Sequence, residues 1–162
     1  MGKVVTQDEL KGIVAQLKKD GKKIVTTNGS FDILHVGHVR ALQQTRALGD
    51  VLIIGVNSDS SVKQYKSDQR PIIPQEDRAE MLAALACVDY VTIFTETDPR
   101  NFLELVKPNV HCKSGDYDAE KMIETPVVRK NGGEVKIIPF VPGKSTTAIV
   151  KKICDVYGQN AG

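Results

Sequence analysis

Cysteine, aromatic residues and net charge are all scarce in this sequence of 162 residues. The three cysteines, at positions 87, 112 and 154, are odd in number and widely spaced, which argues against a disulfide framework. A net charge of +2 is too small to indicate binding to nucleic acid or to an anionic membrane. No apolar run has the length of a signal peptide or of a membrane span. We therefore expect a cytoplasmic protein with neither a nucleic acid nor a membrane as partner.

The composition that remains, 41% hydrophobic and 26% charged, is typical of a globular protein, and we expect one domain, residues 1–162. Runs rich in Val and Ile, which predict buried strands, alternate with amphipathic segments, which predict helices. The expected strands are 22–27, 51–57, 88–94, 110–113 and 134–140. The expected helices are 6–20, 37–48, 76–86, 99–106, 118–131 and 145–157. This alternation predicts an α/β fold: a Rossmann-like, doubly wound parallel sheet of about five strands with helices on both faces.

The most informative segment is the predicted turn between the first strand and the helix that follows it. The strand breaks at Asn28-Gly29, and His35 and His38 then stand at the start of the helix. At a spacing of three residues both imidazoles can face one ligand. The helix N-terminus attracts anions, and Gly37 lets a phosphate approach the backbone. The segment therefore predicts a site that handles phosphate.

Two other interpretations of the histidines are open. A His-x-x-His pair can bind zinc, but zinc sites need three or four protein ligands, and His111 is the only other histidine. Gly37 also stands where a zinc-protease motif would have glutamate. We therefore expect no protein-held metal site. The second alternative is that the two histidines are unrelated surface or core residues.

Polar residues follow several of the predicted strands. Asn28, Asn57, Lys113 and Asp116 each stand at or just beyond the carboxyl end of a strand. In a doubly wound sheet ligands bind beyond that edge. We therefore expect these four residues to lie on one side of the molecule.

A family resemblance rests on the turn and on stretches further along the chain. Gly29-Ser30-Phe31-Asp32 followed by His35-x-Gly37-His38 resembles the signature of the cytidylyltransferase-like nucleotidyltransferases. Within that superfamily the chain resembles the D-glycero-D-manno-heptose 1-phosphate adenylyltransferases from about residue 22 to residue 155. The stretches that carry this second resemblance are Asn57-Ser58-Asp59, Arg70-Pro71, Arg78, Lys113-Ser114-Gly115-Asp116-Tyr117, Asn131-Gly132-Gly133-Glu134-Val135 and Ser145-Thr146-Thr147.

The resemblance implies a reaction. Heptose 1-phosphate would attack the α-phosphorus of a nucleoside triphosphate, expected to be ATP, and pyrophosphate would leave. The nucleoside-diphosphate heptose would serve lipopolysaccharide or other surface heptose synthesis. Mg²⁺ is expected, carried mainly by the triphosphate, and a homodimer is expected from the family and from base rates. One alternative is a cytidylyltransferase acting on glycerol 3-phosphate or a similar phospho-alcohol, and another is a non-catalytic nucleotide-binding module.

Nucleotidyl transfer mainly requires positioning and charge neutralisation. The expected catalytic residues are His35, His38, Lys63 and Arg78. The expected nucleotide-binding residues are Asn28, Gly29, Ser30, Phe31, Gly37, Asp116, Ser145, Thr146 and Thr147. The expected acceptor-binding residues are Asp32, Asn57, Asp59, Lys66, Arg70 and Lys113.

Several of these residues have plain alternatives. Lysines 63 and 66 and Arg70 occupy a polar stretch in which basic side chains are often only solvated. Asp32 could orient His35, assist magnesium or tie together the backbone of the turn. Asp116 could instead cap a helix that begins near Asp118.

Overall fold

The computed structural model describes residues 1–139 and 141–158, and it contains one parallel sheet of six strands in the order β1-β4-β3-β2-β5-β6. Every pair of neighbouring strands is parallel. The strands are β1 (Lys3–Val4), β2 (Ile24–Gly29), β3 (Val51–Asn57), β4 (Tyr90–Phe94), β5 (Val110–Ser114) and β6 (Glu134–Ile138). The Rossmann-like sheet predicted from the sequence is confirmed. The two-residue edge strand β1 is an addition, and position 140 of the predicted last strand lies outside the described residues.

Seven α-helices join these strands within the described part of the chain. They are α1 (Gln7–Lys19), α2 (Val36–Arg46), α3 (Asp59–Tyr65), α4 (Gln75–Ala83), α5 (Arg100–Val106), α6 (Glu124–Lys130) and α7 (Thr146–Tyr157). A capping box between Thr6 and Glu9 starts α1, so the predicted helix start is confirmed.

Two predictions about helices are corrected. The polar stretch after β3 contains α3, a short helix whose N-cap is Ser58. The single helix expected at 118–131 is instead a 3₁₀ turn, Ala119–Lys121, followed by α6. Asp118 caps the 3₁₀ turn by accepting a hydrogen bond from the Glu120 N–H, at 3.0 Å.

The core lies on both sides of the sheet because side chains of β3 alternate between its two faces. Val51 and Ile53 pack with α1, α5 and α6 on one face. Leu52, Ile54 and Val56 pack with α2 and α4 on the other. Helices therefore cover both faces, as a doubly wound sheet requires.

The strand order reverses at β2, which lies between β3 and β5. The strands β3 and β4 follow β2 in sequence and lie on one side of it in the sheet. The chain then crosses over, and β5 and β6 lie on the other side of β2. Crevices outside the carboxyl ends of strands at such a reversal are the usual ligand sites of this fold. No helix in the described ranges is both long enough and apolar enough to cross a membrane.

Candidate active site

The turn between β2 and α2 brings His35 and His38 together at the strand-order reversal. His35 is the N-cap of α2, and its Nδ1 accepts a hydrogen bond from the Gly37 N–H at 3.1 Å. The His35 backbone N–H in turn donates to Nδ1 of His38 at 3.4 Å. The two rings stack with their centroids 3.9 Å apart. The spacing of three residues thus places both imidazoles on one side of the helix start, as the sequence predicted.

These backbone hydrogen bonds define the tautomer of each ring. A ring nitrogen that accepts a hydrogen bond carries no proton, so in a neutral imidazole the proton is on the other nitrogen. His35 and His38 therefore both carry their proton on Nε2. Each ring can donate one hydrogen bond from Nε2 to an oxygen of a ligand.

Burial keeps this pair neutral. It lowers the pKa of His38 to about 4, with further contributions from His35 and Lys66, and it also lowers the pKa of His35. At neutral pH the rings are therefore hydrogen-bond donors without a positive charge. Donors of this kind can stabilise charge that develops on a phosphate oxygen during a reaction.

Two neighbours fix the position of the rings. Phe31, at a positive φ of 47°, places its ring in a T-shaped contact with His38, at 5.4 Å between centroids. At Gly37 a Cβ atom would lie 2.8 Å from Cε1 of His35. Any larger residue at position 37 would therefore push the His35 ring out of the stack.

Two cavities meet at His38, which lines both of them. The larger has a volume of about 470 Å³ and lies over β2, β3 and β5. The smaller has a volume of about 200 Å³ and lies between α2 and the start of α7. The predicted residues that line the larger cavity are Asn28, Gly29, Ser30, Phe31, His38, Asn57, Lys66 and Lys113. Those that line the smaller cavity are His35, Gly37, His38, Ser145 and Thr146.

The larger cavity contains two lysines with different partners. Nζ of Lys66 donates to Oγ of Ser30 at 2.9 Å, and the partial burial of Lys66 lowers its pKa. Nζ of Lys113 pairs with Oε1 of Glu124 at 2.8 Å and donates to Oδ1 of Asn28 at 3.2 Å. An ammonium group has three N–H donors, so each lysine keeps at least one for a ligand in the cavity.

The smaller cavity is closed by the N-terminus of α7. Ser145 is the N-cap of this helix, and its Oγ accepts a hydrogen bond from the Ala148 N–H at 3.1 Å. Lys144 and Thr146 also line the cavity. A helix of 12 residues presents free N–H groups and a partial positive charge at this end, and both attract anions.

Arg78, an expected catalytic residue, lines neither cavity. Its side chain is completely buried and pairs with Asp59 at 2.6 Å. It also donates to the Ile73 carbonyl oxygen at 2.9 Å and to the Ser30 carbonyl oxygen. A guanidinium with these partners holds α3, α4 and the turn together, which is a positioning role, and the expected catalytic role of Arg78 stays a prediction.

Asp32 and Arg70 form a second clamp of this kind. Oδ2 of Asp32 lies 2.7 Å from Nε of Arg70. Oδ1 of Asp32 accepts the backbone N–H groups of Ile72 and Ile73, at 2.7 and 3.0 Å. Among the interpretations of Asp32, this geometry favours the structural one. Asp32, Asp59 and Arg70 line neither cavity, and their expected contacts with the acceptor stay predictions.

Three further predicted residues also lie outside both cavity linings. Lys63 is exposed on α3, one turn before Lys66, and Asp116 is exposed beyond the end of β5. Thr147 follows Ser145, the N-cap of α7, and Thr146, its first residue, which both line the smaller cavity. Their expected contacts with ligands stay predictions without a position in the cavities to support them.

The structure also adds residues that the sequence did not suggest. Glu124 is buried, at 5% exposure, and lines the larger cavity together with Asp98. Glu124 stood in the middle of the helix expected at 118–131, where a glutamate is typical of a solvated face. Its contact with Lys113 across 11 residues could not be inferred from that pattern.

Metal-binding side chains are dispersed around the site. Within residues 1–139 and 141–158, no group of three or more His, Cys, Asp and Glu side chains is placed to hold a metal ion. The Asp32 carboxylate, which the sequence suggested as an aid to magnesium, already has partners on both oxygens.

Comparison with known proteins identifies relatives over most of the chain. The model of the "Cytidylyltransferase-like" family matches residues 26–152. The "Bifunctional protein HldE" of Geobacter sulfurreducens is 48% identical over 157 residues, which cover 97% of this chain and 32% of the relative. The protein of the same name from Nitratiruptor is 52% identical over 146 residues, 90% of this chain and 31% of the relative. The chain thus spans about a third of the length of these curated relatives.

A solved structure supports the same grouping. The lipopolysaccharide core biosynthesis protein from Thermoplasma volcanium is 30% identical, with a TM-score of 0.61. The match covers 75% of this chain and 98% of that one. The resemblance inferred from the His-x-Gly-His turn is confirmed: the chain belongs to the cytidylyltransferase-like family.

Proposed function

We propose that this protein is a nucleotidyltransferase that joins heptose 1-phosphate and ATP, giving ADP-heptose and pyrophosphate for the synthesis of lipopolysaccharide or other surface heptose. The observation that carries the proposal is the position of His38. Its ring lies where two cavities meet, with Nε2–H as its free donor. A reaction between two substrates needs such a meeting point, since the reacting atoms must come within about 3.5 Å of each other.

The proposed chemistry needs no nucleophilic side chain. A phosphate oxygen of heptose 1-phosphate attacks the α-phosphorus of ATP and forms a new P–O bond, while the bond from the α-phosphorus to the bridging oxygen of the β-phosphate breaks. That oxygen leaves with pyrophosphate. An ionised phosphate requires no general base, and the main task of the protein is to stabilise negative charge on the α-phosphate oxygens. The Nε2–H groups of His35 and His38 suit this task.

The smaller cavity suits the triphosphate. Its walls combine the two histidines, the N-terminus of α7 and Lys144. The free N–H groups of a helix start bind phosphate, and Lys144 adds a positive charge. We therefore assign the triphosphate to this side of His38.

The larger cavity suits the acceptor. Its volume of about 470 Å³ is in the range of small-molecule sites, and its polar lining offers hydroxyl, amide and amino groups. Lys66, held by its hydrogen bond to Ser30, provides a charged donor for the acceptor phosphate near His38, and this assignment moves Ser30 from the expected nucleotide site to the acceptor side. The identity to proteins named HldE and the name of the solved relative support a sugar phosphate of lipopolysaccharide synthesis as the acceptor.

We propose Mg²⁺ as the accompanying cation, bound mainly by the triphosphate. When bound, it neutralises charge on the phosphates and favours departure of pyrophosphate. The dispersed carboxylates of the described residues fit an ion that arrives with the nucleotide. We also propose that the protein is a homodimer located in the cytoplasm. Light scattering of the purified protein would test the dimer.

The decisive experiment is a product assay with the purified chain. We expect pyrophosphate release and ADP-heptose formation with ATP, Mg²⁺ and heptose 1-phosphate. CTP with glycerol 3-phosphate serves as the alternative substrate pair, and His38→Ala serves as the variant lacking the central donor. Greater activity on glycerol 3-phosphate would contradict the heptose assignment, and no pyrophosphate release with any acceptor would contradict the nucleotidyltransferase assignment.

A further inference from the structure

The larger cavity contains a buried ion pair that the transfer of a phosphate group does not need. Glu124, the first residue of α6, is only 5% exposed, and its Oε1 lies 2.8 Å from Nζ of Lys113. Lys113 also donates to Oδ1 of Asn28, at 3.2 Å. All three side chains line the cavity, beyond the ends of β2 and β5.

This pair is poorly explained as a device for stability. Removing two charges from water costs several kcal/mol per ion, and apolar residues of similar size often stabilise a fold as well or better. The second carboxylate oxygen of Glu124, Oε2, accepts no hydrogen bond from any other described residue. The pair therefore presents an unused acceptor to the cavity.

The charges in the cavity determine which end of a ligand can lie there. A carboxylate repels a phosphate, so the acceptor phosphate is favoured at Lys66 and Ser30 rather than at Glu124. The pair of Glu124 with Lys113 is neutral as a whole, so it gives little net attraction to a cationic group. A hydroxyl group, which donates one hydrogen bond and accepts others, matches the carboxylate oxygen and the donors beside it.

We infer that Glu124, held in place by Lys113, recognises hydroxyl groups of the acceptor sugar and selects a sugar phosphate over shorter phospho-alcohols. The inference rests on the proposed function and adds a specificity-determining residue to it. Glu124 accepts hydrogen bonds from the sugar on the β5 side of the cavity, whereas Lys66 follows β3, on the other side of β2. The Asn28 amide N–H₂ and the remaining N–H of Lys113 are the matching donors.

The test compares Glu124→Gln with Glu120→Gln in the whole chain. Glu120 is a matched control because it also pairs with a basic residue, Arg129, but it is exposed and lines neither cavity. We expect Glu124→Gln to raise the KM for heptose 1-phosphate about tenfold or more, the effect of losing one hydrogen bond to a charged group. The KM for ATP and kcat should change by less than about threefold, a difference below about 0.7 kcal/mol.

Acceptors that lack one hydroxyl group each locate the contact. The wild-type protein should bind at least one such monodeoxy heptose 1-phosphate about tenfold more weakly, and Glu124→Gln should add no further loss with that acceptor. An equal additional loss with every monodeoxy acceptor would indicate a structural role and overturn the inference. Preference of the wild type for ethanolamine phosphate, with its cationic group, would overturn it as well.

The remaining outcomes separate this inference from the proposed function. A KM for heptose 1-phosphate in Glu124→Gln equal to that of Glu120→Gln overturns the role of Glu124, while wild-type activity still supports the function. Wild-type protein inactive on heptose 1-phosphate overturns the function and this inference with it. If Glu124→Gln unfolds at a lower temperature than the wild type, Glu124→Asp retains the charge at shorter reach, and we expect it to raise the same KM in a folded protein.

Discussion

Two segments on opposite sides of the histidine pair, which we call walls, are stabilised in different ways. The wall formed by residues 59–78, here called the arginine wall, is held by Arg78, which is fully buried, and by the pair of Arg70 with Asp32. The wall formed by residues 141–158, here called the α7 wall, has no buried residue in its helix. Hydrogen bonds to the turn between β2 and α2 hold the arginine wall in place. The α7 wall contributes to the smaller cavity only through the N-terminus of its helix.

This difference separates two tasks of the protein. The arginine wall supports the turn that carries the histidine pair. Substitutions in it should therefore lower the free energy of unfolding and weaken the binding of both substrates. The α7 wall contributes a helix start and a lysine to the proposed triphosphate site, so damage to it should affect nucleotide binding and leave the fold intact. Substitutions on the two walls can therefore test the comparison.

The largest effect is expected for Arg78→Met. The substitution leaves Asp59, whose side chain is 35% exposed, and the carbonyl oxygens of Ile73 and Ser30 without their buried donor, and each buried group left unpaired costs about 1–3 kcal/mol. Urea unfolding followed by circular dichroism would measure the loss. Arg129→Met, which breaks an exposed and solvent-screened pair with Glu120, should lower the free energy of unfolding far less. Equal losses in the two variants would contradict a clamping role for Arg78.

The histidines between the walls should control turnover. We expect His38→Ala and His35→Ala each to reduce kcat by about 100- to 1000-fold, the usual effect of losing one donor to a transition state. The KM for ATP should change far less, because the donor acts mainly on charge that develops during the reaction. Pyrophosphate release under saturating substrates is the measurement. A variant with near wild-type turnover would remove that histidine from the reaction centre.

Lys66 and Arg70 were both expected to bind the acceptor, but of the two only Lys66 lines a cavity. Lys66→Ala should raise the KM for heptose 1-phosphate about tenfold or more, through loss of a charge-assisted contact, with a smaller effect on ATP. Arg70→Ala should instead raise the KM for both substrates, because Arg70 pairs with Asp32 in the turn that carries the histidines. Lys121→Ala, at an exposed position, is the control. An effect of Lys66→Ala on ATP that equals or exceeds its effect on the acceptor would assign Lys66 to the triphosphate.

The two helix N-caps offer a matched comparison of smaller size. Ser145→Ala removes the cap of α7, and Thr6→Ala removes the cap of α1, whose residues Leu10 and Val14 are buried. Loss of a cap costs about 1 kcal/mol of helix stability. We expect Thr6→Ala to lower the free energy of unfolding by about that amount and to leave the KM for ATP unchanged.

Ser145→Ala should give the opposite pattern, since α7 buries little. We expect a free energy of unfolding within about 0.5 kcal/mol of the wild type and a KM for ATP about fivefold higher, equivalent to the 1 kcal/mol cap. The same two measurements on both variants decide the matter. A loss of global stability in Ser145→Ala without a change in KM would contradict the distinction between the walls.

The last expected result is the absence of a change. Because burial lowers the pKa of His38 to about 4, its ring should stay neutral, with the proton on Nε2, from pH 8 down to about pH 5. Nitrogen-15 NMR of the imidazole groups would detect the tautomer and any titration. The folded pKa lies below the ordinary value of 6.5, so the contribution of His38 to stability is full above pH 6.5 and decreases as the pH falls towards 4. If His38 titrated near pH 6.5 in the folded protein, its ring would not be buried as described, and the prediction would be wrong.

Local patterns in the sequence were enough to predict the sheet, most of the helices and the histidine pair. The apolar runs of β2 to β5 each identify a buried strand, and the Thr6–Glu9 capping box identifies a helix start. His35, Gly37 and His38 lie within four residues, so their hydrogen bonds and ring stacking depend on the local backbone. Interactions of this short range follow directly from residue order.

The roles of the buried charges were decided only by the tertiary structure. Arg78 bonds to Ser30 across 48 residues, and Lys113 bonds to Asn28 across 85 residues. No local pattern distinguishes an arginine that clamps a turn from one that binds a triphosphate, or a buried glutamate from a solvated one. The difference arises because folding removes these side chains from water, and each charge must then find a partner among residues that are distant in the chain.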